Sequence, residues 1–257
     1  MATSADKRRL ARELRLHFKR VRNGEKQYLL KLVAVARQIG LIVRGFAPNG
    51  RIDNLDGLMR ALTNYGMVLE PWARAVAGDM LADINRRNQN AWNATALEIG
   101  QNLRAEIESA PVGEVYRRLL DAQIEEVVSL PRSAADRIYK LATEIHITGE
   151  RSSVLAAEIL ATESVTIARA KMMAKSAVST ASTTLVEAQA RYVGSPGYFW
   201  RTSMNEDVRK DHRILEGKFF RWDDPPVVDR RSGFRSHPGC NANCQCWAQV
   251  MLPEWND

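Results

Sequence analysis

Residues 190–202 read Ala-Arg-Tyr-Val-Gly-Ser-Pro-Gly-Tyr-Phe-Trp-Arg-Thr, and they separate two kinds of sequence. Before them the hydrophobic pattern is helical almost throughout. After them aromatic residues, prolines and glycines become frequent. Gly194-Ser195-Pro196-Gly197 has the composition of a turn or linker. Tyr198-Phe199-Trp200-Arg201-Thr202 has that of a strand. The expected class is α+β: a helical region at 1–193 with long helices, then a small α+β module at 194–257 with a short antiparallel sheet.

Upstream of the divide, 153–191 is the longest uninterrupted stretch. Its middle is made of small residues: Ala174, Ser176, Ala177, Ser179, Thr180, Ala181, Ser182, Thr183 and Thr184. Small side chains let helices approach closely, so a helix packed in a bundle is expected, with a flexible or refolding segment as the alternative. Further back, Pro111 and Pro131 punctuate helices expected at 113–129 and 132–147. Other helical patterns cover 52–66, 68–88 and 90–109, with Glu70-Pro71-Trp72 reading as a helix start. A turn is expected at 45–50, which contains Pro48. The first helix is expected over 5–40, capped by Ser4. Leu10, Leu14, Phe18 and Val21 form one apolar stripe in it, and Asn23-Gly24 is read as a break or kink.

Downstream, Asn205-Glu206-Asp207 can cap a short helix over 207–214, and Gly217 reads as a stop. A second strand is expected at 218–222, a long loop at 223–236, and a final strand at 246–250.

With 257 residues and 45% hydrophobic content, the chain is long and apolar enough for a globular core. The apolar run at 29–43 is interrupted by Lys31, Arg37 and Gln38, so no membrane span is expected. The N-terminus carries charge and no apolar leader, which points to synthesis and assembly in a cytoplasm. Net charge is +7, unevenly spread. Residues 1–45 hold 12 Lys/Arg and 3 Asp/Glu, which is 12 − 3 = +9, leaving 7 − 9 = −2 for the rest. Arg8, Arg12, Arg15, Lys19 and Arg22 flank the first apolar stripe and are candidate contacts for nucleic acid or an acidic partner. A solvated helix face is the simpler reading of the same charges.

The three cysteines, Cys240, Cys244 and Cys246, fall within seven residues. Such clustering, with histidines nearby, reads as a metal or reactive site rather than a disulfide framework. His212, His237, Cys244 and Cys246 offer the N/S donors that zinc prefers, with Cys240 as substitute. The alternative is that the histidines tie loops together by hydrogen bonds while the cysteines pack as small apolar groups. His17 and His146 are assigned no role. No phosphate-binding glycine loop, Ser-His-Asp order or HExxH helix is present in the sequence.

The ordered set Trp200-Arg201-Thr202, Asp207-Val208-Arg209, Asp211-His212-Arg213, Leu215-Glu216-Gly217, Phe219-Phe220, His237-Pro238-Gly239 and Asn243-Cys244-Gln245-Cys246 resembles the phage Mu F-like minor head protein (head morphogenesis) family. The resemblance covers about 55 residues. Many relatives carry cysteine at both ends of the pair before the glycine, where Arg209 and His212 stand here. The usual arginine between the last two cysteines is Gln245, and Cys240 lies in an extra segment.

The resemblance implies a structural minor capsid protein of a tailed bacteriophage, not an enzyme. It would be located in the virion, inside the head near the portal. Its partner would be the portal protein, with packaged double-stranded DNA and the major capsid protein as further candidates. Two rival readings stand beside it: a phosphodiesterase-like enzyme using His212 and His237, and a stand-alone DNA-binding protein using the basic helix.

Overall fold

The computed structural model describes the backbone of residues 4–99, 112–148 and 152–251, and the side chains of 23–90, 112–143, 154 and 156–251. The elements in order are α1 (Ser4–Phe46), α2 (Leu55–Ile99), α3 (Gly113–Thr148), α4 (Ser152–Leu160), α5 (Thr162–Tyr192), β1 (Gly197–Arg201), α6 (Lys210–Arg213), β2 (Phe219–Arg221), β3 (Val227–Asp229), β4 (Phe234–Arg235) and β5 (Trp247–Met251). The α+β class is thus as the sequence indicates: long helices, then a small antiparallel sheet. No helix among the described residues is long and apolar enough to cross a membrane.

Among the described residues, helices run through several of the breaks that the sequence punctuation suggests. Gly24 lies inside α1, Pro71 inside α2 and Pro131 inside α3. A proline in a helix interior removes one hydrogen bond and costs about 3 kcal/mol. Both prolines sit in stripes that outweigh this. Leu69, Ala73 and Ala77 are buried around the first, and Val127, Leu130 and Ala134 around the second. Burying one large aliphatic side chain contributes roughly 1.5–3 kcal/mol, so breaking either stripe would cost more than the proline does. The 153–191 stretch, by contrast, is two helices, α4 and α5, divided at Ala161.

The chain forms two compact units. One comprises Lys26–Asp79 and Leu120–Ala174. Its part of α1 buries Tyr28, Leu32, Val35, Ala36, Ile39 and Val43, at the three- and four-residue spacing of one helical face. The Tyr28 hydroxyl reaches Gln123 Oε1 on α3 at 3.3 Å. Arg169 on α5 donates to Ser129 on α3 at 3.0 Å and also to Ser133. The turn after α1 packs so closely on α4 that a Cβ on Gly50 would overlap Ala156; Gly50 also has φ +75°.

The other unit comprises Met1–Glu25, Met80–Leu119 and Lys175–Asp257, and it contains the sheet. Strand order is β2-β1-β5, all antiparallel, with Trp200 opposite Ala248 and Tyr198 opposite both Phe220 and Val250. Along β1, Tyr198 and Trp200 are fully buried, the period-two pattern of a strand with one face in the core. Gly197 is required where β1 meets β2, because a Cβ there would strike the Phe220 carbonyl oxygen. The core gathers Tyr198, Trp200, Leu215, Trp222, Val228, Cys244, Cys246 and Ala248 with Ala190 and Val193 from the end of α5 and just beyond it. The 223–236 segment, expected as loop, contains the small hairpin β3–β4.

The α1 backbone passes through Arg8, Arg12, Arg15, Lys19 and Arg22. Their side chains lie outside the described residues, as do those of His17, Trp92, His146 and Trp255.

Candidate functional site

Two short segments carry the chemistry of the small sheet: α6, which bears His212, and the loop at 237–246, which leads into β5. The loop is shaped by backbone turns. Gly239 has φ +84° and Asn243 φ +56°. Cys240 N–H donates to the His237 carbonyl at 3.2 Å, and Cys244 N–H to the Asn241 carbonyl at 3.0 Å.

Hydroxyls on the small-residue face of α5 hold the loop. Thr183 Oγ1 donates to the Pro238 carbonyl at 2.6 Å and Thr180 Oγ1 to the Gly239 carbonyl at 3.4 Å. Ser176 Oγ accepts from Asn243 N–H at 3.2 Å. The hydroxyls in this stretch of α5 therefore do more than permit close helix packing. Sequence reading missed this, because the residues they engage lie 55 or more positions away.

Beyond Asn243 the chain is extended, and residues two apart point the same way. Cys244 and Cys246 consequently turn inward together while Gln245 faces Asn205 at 3.2 Å. Opposite them, α6 presents His212, 2% exposed, edge-on to Trp200 with ring centroids 5.4 Å apart. His212 Nδ1 lies 3.4 Å from Cys244 Sγ and 3.5 Å from Cys246 Sγ. The three donor atoms fall within 4.8 Å of one another, and all three residues are buried. Gly239 N–H points at Cys244 Sγ at 3.4 Å. The Cys246 thiol and backbone and the His212 ring favour a thiolate at Cys244 over burial's opposing effect. The same pairing and burial push Cys246 up. His212 Nε2 has no hydrogen-bond partner among the described residues, although it is buried.

His237 and Cys240, grouped with these three in the sequence, stand apart from them. His237 Nδ1 meets the Tyr198 hydroxyl at 2.9 Å, and its Nε2 faces Glu187 Oε2 at 3.7 Å. Its ring lies edge-on to Tyr198 and tilted against Trp222. Glu187 is in turn bonded by Arg191 Nε at 2.8 Å, and Arg191 donates to the Trp222 carbonyl at 2.5 Å. Burial lowers the basicity of His237; nearby Glu187 opposes this and Arg191 adds to it. Burial, reinforced by Glu187, pushes the Cys240 thiol up to about 12, while a hydrogen bond with Thr184 pulls the other way. His237 and Cys240 thus belong to a polar network between α5 and β1.

Arg209, at the cap of α6, donates to the Ala242 carbonyl at 2.7 Å. It ties the helix start to the cysteine loop through its guanidinium. The paired motifs at the other end of the sheet also meet: Glu216 Oε2 accepts from Thr202 N–H at 2.5 Å, and Gly217 N–H donates to the Trp200 carbonyl at 2.8 Å.

The histidine pair required for a phosphodiesterase is divided by these contacts. His212 is enclosed by two sulfurs and His237 is bonded to Tyr198. Acid–base work on a phosphodiester needs both within reach of one substrate, and the buried His212 offers none.

Residues 136–249 match the family described as "Phage Mu protein F like protein", a segment that runs from α3 through the cysteine loop into β5. The resemblance read from the last third of the sequence therefore holds over a longer stretch, which includes α4 and α5. An uncharacterized protein of Haemophilus influenzae (strain ATCC 51907 / DSM 11121 / KW20 / Rd) is 27% identical over 164 residues, 64% of this chain and 34% of that protein. The chain thus spans about a third of the length of that curated relative. No solved structure matches the chain.

Proposed function

We propose that this protein is a structural minor head protein of a tailed phage, acting in head morphogenesis inside the head near the portal. The observation that carries the reading is the phage Mu F-like match over 136–249, which takes in α5 and the whole buried site. The site is enclosed and cross-linked, the character of a module that holds its own shape. It offers no open cleft at His212 for a substrate. Long helices lead into this module and supply faces for contact with portal subunits, while the basic end, with 12 Lys/Arg in 1–45, suits packaged double-stranded DNA. Within the particle the protein assists head assembly or genome delivery.

A pull-down of full-length protein against portal subunits tests this. Retention of the portal protein, and heads that mature poorly without this protein, are the expected results. Normal heads in its absence, with no portal retention, would overturn the proposal. Metal-independent cleavage of nucleic acid abolished by His237→Ala would favour the phosphodiesterase instead. Salt-sensitive DNA binding with no portal retention would favour a stand-alone DNA-binding protein.

A further inference from the structure

We infer that His212, Cys244 and Cys246 form a zinc site with three protein ligands, and that neither His237 nor Cys240 takes part in it. The distances carry the argument. Zinc binds histidine nitrogen at about 2.0–2.1 Å and cysteine sulfur at about 2.3 Å with tetrahedral angles, which sets ligand nitrogen and sulfur about 3.5 Å apart. His212 Nδ1 stands 3.4 Å and 3.5 Å from the two sulfurs. The nitrogen is therefore already spaced from each sulfur as it would be around an ion, and all three donors lie within 4.8 Å of one another.

A hydrogen-bonded cluster explains the same arrangement less well. One ring nitrogen is in reach of two weak sulfur partners, while the other ring nitrogen is buried with no partner among the described residues. Two weak sulfur contacts are poor compensation for a buried imidazole nitrogen, and an ion on Nδ1 replaces them with one strong bond. Gly239 N–H, aimed at Cys244 Sγ at 3.4 Å, is placed to stabilise a sulfur that carries negative charge.

Both sulfurs bind as thiolates: Cys244 already favours that form, so the proton released to solvent as the two Zn–S bonds form is that of Cys246, and neutral His212 adds its Nδ1 lone pair. Among the described residues, His212, Cys244 and Cys246 are the His, Cys, Asp or Glu side chains that group here, so these supply three ligand positions. His237 is turned to other partners, its Nδ1 to Tyr198 and its Nε2 to Glu187. The ligands come from α6 and from the approach to β5, so the ion fastens the short helix to the sheet.

The test uses full-length protein loaded with Zn²⁺, and separately with Co²⁺ as a spectroscopic substitute. About one metal per chain is expected by elemental analysis, with X-ray absorption showing two sulfur ligands and a sulfur-to-cobalt charge-transfer band. Cys244→Ser and His212→Ala should lose the metal, and His212→Cys should keep it. His237→Ala and Cys240→Ser should keep both the metal and the two-sulfur signature. The far-UV circular dichroism of each variant separates loss of ligand from loss of fold. Metal absent from the folded wild type, metal retained by folded Cys244→Ser, or metal lost from folded His237→Ala would each overturn the assignment, as would a third sulfur in the absorption spectrum.

Discussion

His237 is the residue on which the polar half of the site turns. Burial raises the pKa of Tyr198, with Cys240 and Glu187 adding to it, so its hydroxyl keeps its proton and hydrogen-bonds with His237 Nδ1. The other ring nitrogen, Nε2, faces Glu187. Removing either partner strands the other. His237→Ala and Tyr198→Phe are each expected to destabilise the fold by about 1–3 kcal/mol, read as a fall in melting temperature. An unchanged melting temperature would make the bond dispensable. The same residue sets a pH dependence. Burial holds the folded His237 below its ordinary value of 6.5, so the unfolded chain takes up the proton more readily. The stability that neutral His237 confers is complete above that ordinary value and is lost as pH falls through the lower, folded one. Melting temperature should therefore decline between neutral and mildly acidic pH more steeply in the wild type than in His237→Gln. Parallel curves would remove His237 as the source.

At the scale of elements, the determining contact is between α5 and the loop before β5. Gly239 combines φ +84° with neighbours that leave no room: an added Cβ would lie 3.0 Å from Thr183 Oγ1, 3.1 Å from the Ser179 carbonyl and 3.2 Å from the Cys246 carbonyl. Gly239→Ala should cost about 1–2 kcal/mol from backbone conformation, and more from the crowding of two backbone oxygens. Denaturant unfolding checks this, and an unchanged midpoint would show that the loop adjusts freely.

The end of α5 carries a second expectation. The 194–197 segment has linker composition, yet Ser195 is buried. It donates to the Met251 carbonyl at 2.6 Å and accepts from Trp222 Nε1 at 3.2 Å. Limited proteolysis should spare this segment. A first cut there would mean that the Ser195 contacts do not hold in solution. Composition describes how a segment behaves alone, and hydrogen bonds to β5 and Trp222 change that behaviour.

For the whole molecule, charge is the property that sequence alone supplies. Residues 1–45 carry +9 of a net +7, so deleting them should weaken DNA binding and flatten its dependence on salt. Equal affinity and equal salt slope in the truncated protein would assign DNA contact, if any, elsewhere.

The sequence by itself determined the class of the fold and most of the sheet. Strand composition at Tyr198-Phe199-Trp200, stop signals at Gly217 and periodicity through the helices are local properties, and local forces act on them directly. It also marked His212, Cys244 and Cys246 as chemically notable. Tertiary structure decided the rest. Only packing shows that α2 and α3 run through Pro71 and Pro131, because the stripes that outweigh each proline are buried by other parts of the chain. Only packing separates His237 from His212, since a histidine's partner is whatever the fold brings to it, and Tyr198 is 39 positions from His237 in sequence. The cysteine spacing selected a chemistry; the turn at Gly239 and Asn243 and the hydroxyls of α5 aim two of the three sulfurs at one imidazole. The physical reason is that ligand geometry depends on distances between residues far apart in the chain, and only the folded backbone fixes those.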